Sequence, residues 1–116
     1  MASAVRAVDE VAEEPLAMEG LEPALHAPLR LKIATVLART GETEFGRVRD
    51  LAGVSDSVLS KQLAVLVGAG LAETVKYMSE GRLRTRAALT ETGYARYRRH
   101  LRALLALVAA TADRVG

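Results

Sequence analysis

The stretch FGRVRDLAGVSDSVLSKQLAVLVGAGL, residues 45–71, reads as two short amphipathic helices joined by a tight turn at Gly53. In the first helix Phe45, Val48, Leu51 and Ala52 recur at helical spacing, a stripe that predicts its buried face. Gly53 stands where a helix ends in a left-handed residue, a conformation that a residue without a Cβ adopts at no steric cost. Val54 follows as a plug for the angle between the helices. Ser55 is a natural N-cap, its hydroxyl accepting a backbone N–H of the second helix. Asp56 then lies in the positively polarised first turn of that helix, where a carboxylate is favoured.

On the second helix Leu59, Leu63 and Leu66 lie at i, i+4 and i+7, on one face directed to the core. Ser57, Val58, Ser60, Lys61 and Ala64 are left outside. Apart from Lys61 these side chains are short, so the helix can lie deep in a groove that admits its diameter, with hydroxyls and one ammonium aimed at phosphates or base edges. An ordinary helical hairpin with a solvated polar face carries the same periodicity, so the flanking sequence has to decide.

After Gly70, LAETVKYM reads as a strand, SEGRLR as a charged turn and TRAALT as a returning strand. Arg82, Arg84 and Arg86 are spaced by two, which puts three guanidinium groups on the same side of an extended segment. Three cations on one exposed face repel one another unless an anion sits opposite. Charge on an edge hairpin commonly serves to discourage sheet aggregation, but that use favours neither sign. Directly after a groove-reading helix, a phosphate-contacting wing is the better reading.

With these elements in place the chain resembles the winged-helix transcriptional regulators of the MarR and ArsR type, most closely the small branch known simply as winged-helix DNA-binding domain proteins. The likeness covers about residues 21–108 and rests on HAPLRLKIATVL, on EFGRVRDLAGVSDSVLSKQLAVLVGAGL and on GRLRTRAALTETG. Its most specific part is the pattern SDxxLSKxLxxLxxAGL. Carried over residue by residue, the resemblance implies Ser57, Val58, Ser60, Lys61 and Gln62 at the groove and Arg82 and Arg84 on the wing. It also implies a dimeric DNA-binding repressor or activator. Two departures stand out: Val58 occupies a place where relatives usually carry a polar residue, and Ala87 and Ala88 replace a frequent aromatic. Val58 is able to contact a thymine methyl. The alanines imply a thinner hairpin that depends more on its arginines.

Composition bounds the rest. The 116 residues support one domain with a modest core. No run of 18 uncharged apolar residues occurs, and the N-terminus lacks the apolar block of a signal peptide, so a cytoplasmic location without membrane contact is expected. With no cysteine, disulfides, thiolate metal sites and cysteine nucleophiles are excluded. Arginine outnumbers lysine 13 to 3 and alanine is abundant, as in proteins of GC-rich bacterial genomes. Residues 1–22 carry one basic and six acidic residues, whereas residues 23–116 carry the other fifteen basic and eight acidic ones. The folded part is therefore the basic part, suited to a polyanion. Residues 1–20 read as an acidic, flexible arm, and residues 21–116 as the DNA-binding and dimerisation domain.

Two further helices complete the expected fold. Pro28 suits a first turn, and Leu29, Ile33, Val36 and Leu37 form a core stripe ended by Gly41. Thr43–Phe45 are placed to add a short third strand to the wing. Thr92–Val115 reads as one helix of about 24 residues, roughly 36 Å long at the usual rise. Its first half, with Arg96, Arg98, Arg99 and Arg102, is cationic and reads as a solvated face. Leu101, Leu104, Leu105, Val108 and Ala112 then follow a three-four spacing that makes a helix-helix seam, which favours a homodimer. The expected architecture is mainly α with a small β-hairpin (α+β), a winged helix-turn-helix with a long C-terminal dimerisation helix.

Catalysis has little to rest on. The two histidines, His26 and His100, lie in scaffold segments away from any promising serine; they could meet across a dimer with Asp or Glu support, but two histidines without identified partner ligands are more often incidental than a metal site. No metal or cofactor is expected. Tyr77, Tyr94, Tyr97 and Phe45 are the only aromatics, too few for a surface that stacks single-stranded bases, so duplex DNA is the expected partner. The resulting expectation is a regulator, in repressor mode, on a near-palindromic duplex site, with an unidentified small-molecule effector between the first and last helices as a further partner. The alternative is a winged-helix protein-interaction module, which Val58 and the acidic arm would suit.

Overall fold

The computed structural model describes the backbone of residues 18–115 and the side chains of residues 18–109. Most of the expected acidic arm, and the Ala112 side chain, lie outside the described residues. Four helices and a three-stranded antiparallel sheet follow one another: α1 (Pro28–Thr40), β1 (Thr43–Glu44), α2 (Phe45–Ala52), α3 (Asp56–Gly68), β2 (Ala72–Ser79), β3 (Arg82–Leu89) and α4 (Glu91–Val115). The sheet order is β1-β3-β2. This is the α+β winged-helix arrangement expected from the sequence, with the third strand at Thr43–Glu44 paired to Ala87 and Arg86.

Helix α1 starts with Pro28 and ends at Gly41, whose N–H donates to Leu37 O at 2.9 Å. Ile33, Ala34 and Leu37 are buried. Leu29, expected in that stripe, is exposed, and Val36 is half-buried. A 3-10 turn at Pro23–Leu25 precedes α1 and brings Leu25 into the core at that end instead. In α2 the buried residues are Val48 and Ala52; Leu51 is exposed beside Val36 and Arg47 in a shallow surface depression, because two turns of helix present only a narrow face to α1 and α3.

The link from α2 to α3 follows the local chemistry of the sequence. Gly53 has φ 68° and ψ 37°, and its N–H donates to Arg49 O at 2.8 Å. Ser55 Oγ accepts the Val58 N–H at 3.2 Å, the side-chain cap of α3. Arg49 reaches across the turn, 2.9 Å from both Asp50 and Asp56, and so fastens the two helices at a fixed angle. Leu59, Leu63 and Leu66 point into the core.

The wing is longer and its turn shorter than expected. Only Glu80 and Gly81 lie between the strands, with φ of 52° and 75°, the two left-handed residues of a turn that matches strand twist. Ala72, Ala87 and Leu89 close the core at the base of the sheet. The buried Ala87 lies between Thr43 and Thr74, its cross-strand partners on β1 and β2.

Thr90 starts α4: its N–H donates to Leu71 O at 3.0 Å and its Oγ1 accepts the Gly93 N–H at 2.8 Å. Tyr97 donates to Thr35 Oγ1 at 2.9 Å, tying α4 to α1. Residues 20–26 run along α4, where the Glu22 N–H donates to His100 Nδ1 at 3.0 Å and the Glu22 carboxylate lies 3.7 Å from Arg96. The two histidines meet within the chain, with ring centroids 5.9 Å apart. His100 is 2% exposed. Burial, and secondarily His26, push its pKa below the ordinary 6.5, against the opposing carboxylate of Glu22.

The neutral ring is therefore the native form, and it is the form whose Nδ1 accepts from Glu22. A histidine with a lowered folded-state pKa contributes stability that is present above its unfolded value and lost as pH falls through the folded one. The denaturant midpoint is expected to drop between pH 7.5 and pH 5, and His100→Asn, which keeps an acceptor without a titrating ring, to flatten that drop. Equal pH dependence in the two proteins would contradict this role. Among the described residues no helix is long and apolar enough to cross a membrane.

Candidate nucleic-acid interface

Capping and burial together fix what α3 shows to solvent. With the three leucines inward, Ser57, Ser60, Lys61 and Ala64 are exposed and Val58 is half-buried. The Ser55 and Ser57 hydroxyls are 3.2 Å apart at the start of the helix. Among the described residues Lys61 makes no ion pair. Gln62 stands apart: it is half-buried, and its Oε1 accepts from Arg30 Nη1 at 3.2 Å, so it braces α3 against α1.

The wing has two unlike sides, set by strand alternation. Arg82, Arg84 and Arg86 share one side, as their spacing predicted, with Tyr77 and Val75 among their cross-strand partners. The anions opposite them are the protein's own. Arg84 Nη1 is 2.9 Å from Glu44 and Arg86 Nη1 is 3.2 Å from Glu42, while the Arg86 guanidinium stacks 4.0 Å over the Tyr77 ring. Arg84 Nε is buried without a hydrogen-bond partner among the described residues. Arg82, at the turn, makes no ion pair among the described residues.

The other side of the wing faces α3. Between them lies an open cleft of about 530 Å³ with Phe45, Leu63, Ala64 and Val67 on its apolar wall. Ser60 from α3, and Thr74, Lys76 and Thr85 from the strands, supply its polar groups. Lys76 and Thr85 are direct cross-strand partners. The sequence reading missed these three strand residues. The signal was present in the alternation Ala72, Thr74, Lys76, Met78, which puts Lys76 on the same side as the buried Ala72 and hence on the side of α3.

The combination is an uncluttered helix surface carrying hydroxyls and one ammonium, flanked by a cleft with a second ammonium on its far wall. It offers donors to an anionic polymer, and nothing in it assembles a nucleophile with a base. Comparison with known proteins agrees. No curated protein matches the chain significantly in sequence. Among solved structures, a transcriptional regulator homologue from Pyrococcus horikoshii OT3 superposes with a TM-score of 0.73 at 22% identity, over 92% of this chain and 98% of that one. NadR in complex with 4-hydroxyphenylacetate is similar with a TM-score of 0.61 at 21% identity, over 98% of this chain and 79% of that one. The zinc-responsive MarR family member ZitR from Lactococcus lactis gives 0.58 at 17% identity, over 97% and 78%. These likenesses are of fold. In sequence, residues 29–108 match the family described as Winged helix DNA-binding domain, a span that contains all four helices in whole or part and the entire wing. The chain belongs to the winged-helix DNA-binding domain family, which works by binding DNA and not by catalysis.

Proposed function

We propose that the protein is a transcriptional repressor that binds a near-palindromic duplex site as a homodimer, with α3 as the helix that enters the major groove. The observation that carries this reading is the exposed face of α3, where Ser57, Ser60 and Lys61 stand clear of the fold beside the half-buried Val58. Short side chains let the helix axis approach the bases, hydroxyls contact bases or phosphates, and Val58 is placed for a thymine methyl. Ser55 holds the first turn in shape, and Arg82 at the wing turn supplies a cation for phosphate. Arg84 and Arg86, held by Glu44 and Glu42, contribute chiefly by fixing the wing's geometry.

Dimerisation through α4 is supported by its unequal exposure. Leu101 and Leu104 are half-buried on the chain's own domain, whereas Leu105 and Val108 are 67% and 50% exposed. A two-fold axis along this seam presents two copies of α3 to half-sites about one helical turn, 34–36 Å, apart. The 4-hydroxyphenylacetate bound in the NadR structure supports effector control by a small organic molecule; the space between α1 and α4 is our proposal for its site.

The test is a comparison of variants on one DNA fragment. Lys61→Ala is expected to weaken binding uniformly across sequences and to reduce the slope of log affinity against log salt by about one. Ser57→Ala is expected to change which sequences are preferred, with the salt slope kept. Wild-type affinity in both variants would remove α3 from the interface.

A further inference from the structure

The sequence directs attention to the arginine side of the wing, but the structure pairs two of its three arginines with the protein's own carboxylates, and the opposite side carries groups of its own. Along the α3-facing side the cross-strand pairs run Thr74 with Ala87, Lys76 with Thr85, and Met78 with Leu83. Chemistry changes in step with distance from the core. Small groups lie at the base, Lys76, which has no ion-pair partner among the described residues, lines the cleft, and two large apolar side chains lie next to the turn. Met78 and Leu83 are 66% and 65% exposed.

Two adjacent exposed apolar groups on a hairpin invite sheet-to-sheet association, and a wing with only a solubilising role would carry charge there. Here the charge is on the other side. Resting on the DNA-binding reading above, we propose that the wing engages duplex DNA with its α3-facing side, Lys76 on a backbone phosphate lodged in the cleft and the Met78–Leu83 pair as an apolar wedge in the adjoining minor groove.

Three observations name DNA as the occupant. The cleft is continuous with the exposed face of α3 through Ser60. Lys76 and Ser60 line it from opposite walls, so one phosphate between them meets an ammonium and a hydroxyl. The apolar pair lies one position further along the same side of each strand toward the wing end, beyond the place proposed for the phosphate. Apolar side chains that enter a minor groove partly unstack a base step and bend the duplex, and they do so most readily at flexible pyrimidine–purine steps. The wedge therefore reads deformability, and the Lys76 contact sets position without reading sequence.

The test uses the full chain and an end-labelled duplex whose bend is read by energy transfer, with affinity measured at several salt concentrations. Lys76→Ala is expected to lower the salt slope by about one and weaken all sequences alike. The double variant Met78→Ala/Leu83→Ala is expected to keep the slope, weaken binding about tenfold, reduce the bend and lose preference for a TA or CA step beneath the wing. Val75→Ala, which removes an exposed apolar group from the other side, is expected to stay within about twofold of wild type. Wild-type affinity and bend in the double variant overturn the wedge, as does a change in its oligomeric mass with DNA binding intact. A larger loss in Val75→Ala than in the double variant overturns the choice of side. Failure of the wild type to bind DNA at low salt removes the underlying function as well, which separates the two failures.

Discussion

Gly93→Ala is expected to destabilise the protein by about 3 kcal/mol or more, a large part of the roughly 5–15 kcal/mol that holds a domain of this size together. Helix propensity alone predicts the opposite sign, since alanine is better than glycine inside a helix by about 1 kcal/mol. The difference comes from how closely α4 approaches the strand entry. A Cβ at position 93 would fall within the van der Waals envelope of Leu71 O and 2.8 Å from Leu71 C. Neither atom can yield easily, because Leu71 O accepts the Thr90 N–H and the neighbouring Gly70 O accepts Thr90 Oγ1 at 2.7 Å. The added methyl must either break this joint or lift the start of α4 off the sheet. Denaturant unfolding gives the answer directly: a lowered midpoint supports the close approach, and an unchanged or raised midpoint contradicts it.

Leu105→Glu is expected to leave the monomer folded but to split the dimer, and with it to lower DNA affinity by about a hundredfold. Leu105 is 67% exposed in the single chain, so a carboxylate there disturbs little of the fold. At a symmetric seam each substitution instead faces its own copy, and two carboxylates are brought together in an apolar contact. Once the half-sites are read by separate molecules, the effective concentration that links the two binding events is gone, a loss of about 10²–10⁴ in overall affinity. Mass measurement and DNA titration of the same sample test both parts. A dimeric Leu105→Glu, or a monomer that binds as tightly as wild type, would place the seam elsewhere.

The parts of the fold that were legible in the sequence are those with a local cause. Gly53, Ser55 and Asp56 mark the helix-turn-helix through backbone conformation and capping, and the structure has a left-handed residue at Gly53 and a side-chain cap at Ser55. The leucines of α3 were legible for the same reason, since a long amphipathic stripe admits one burial pattern. Leu29 and Leu51 were not, because whether the edge of a stripe is buried depends on what packs beside it. At one end that is Leu25, brought in by a 3-10 turn with no strong sequence signal.

The arginines show the same division between local and tertiary information. Their spacing by two fixed a common side of β3, as found. Which side faces α3 is set by Ala72, Ala87 and Leu89 at the core, and the carboxylates that meet Arg84 and Arg86 come from Glu44 and Glu42, 40 and 44 residues away. Alternation with the buried Ala72 gives the side of Lys76 but not its role. The lysine acquires meaning only when strand register places it across a cleft from Ser60.

The account stands most directly on a titration of the purified protein against DNA from immediately upstream of its own gene, at two salt concentrations, with unrelated duplex as competitor and the mass of the complex recorded. It predicts preferential, salt-sensitive binding of one dimer per site. Binding at low salt no stronger than to the competitor, or a complex that forms with one monomer per site, would contradict it.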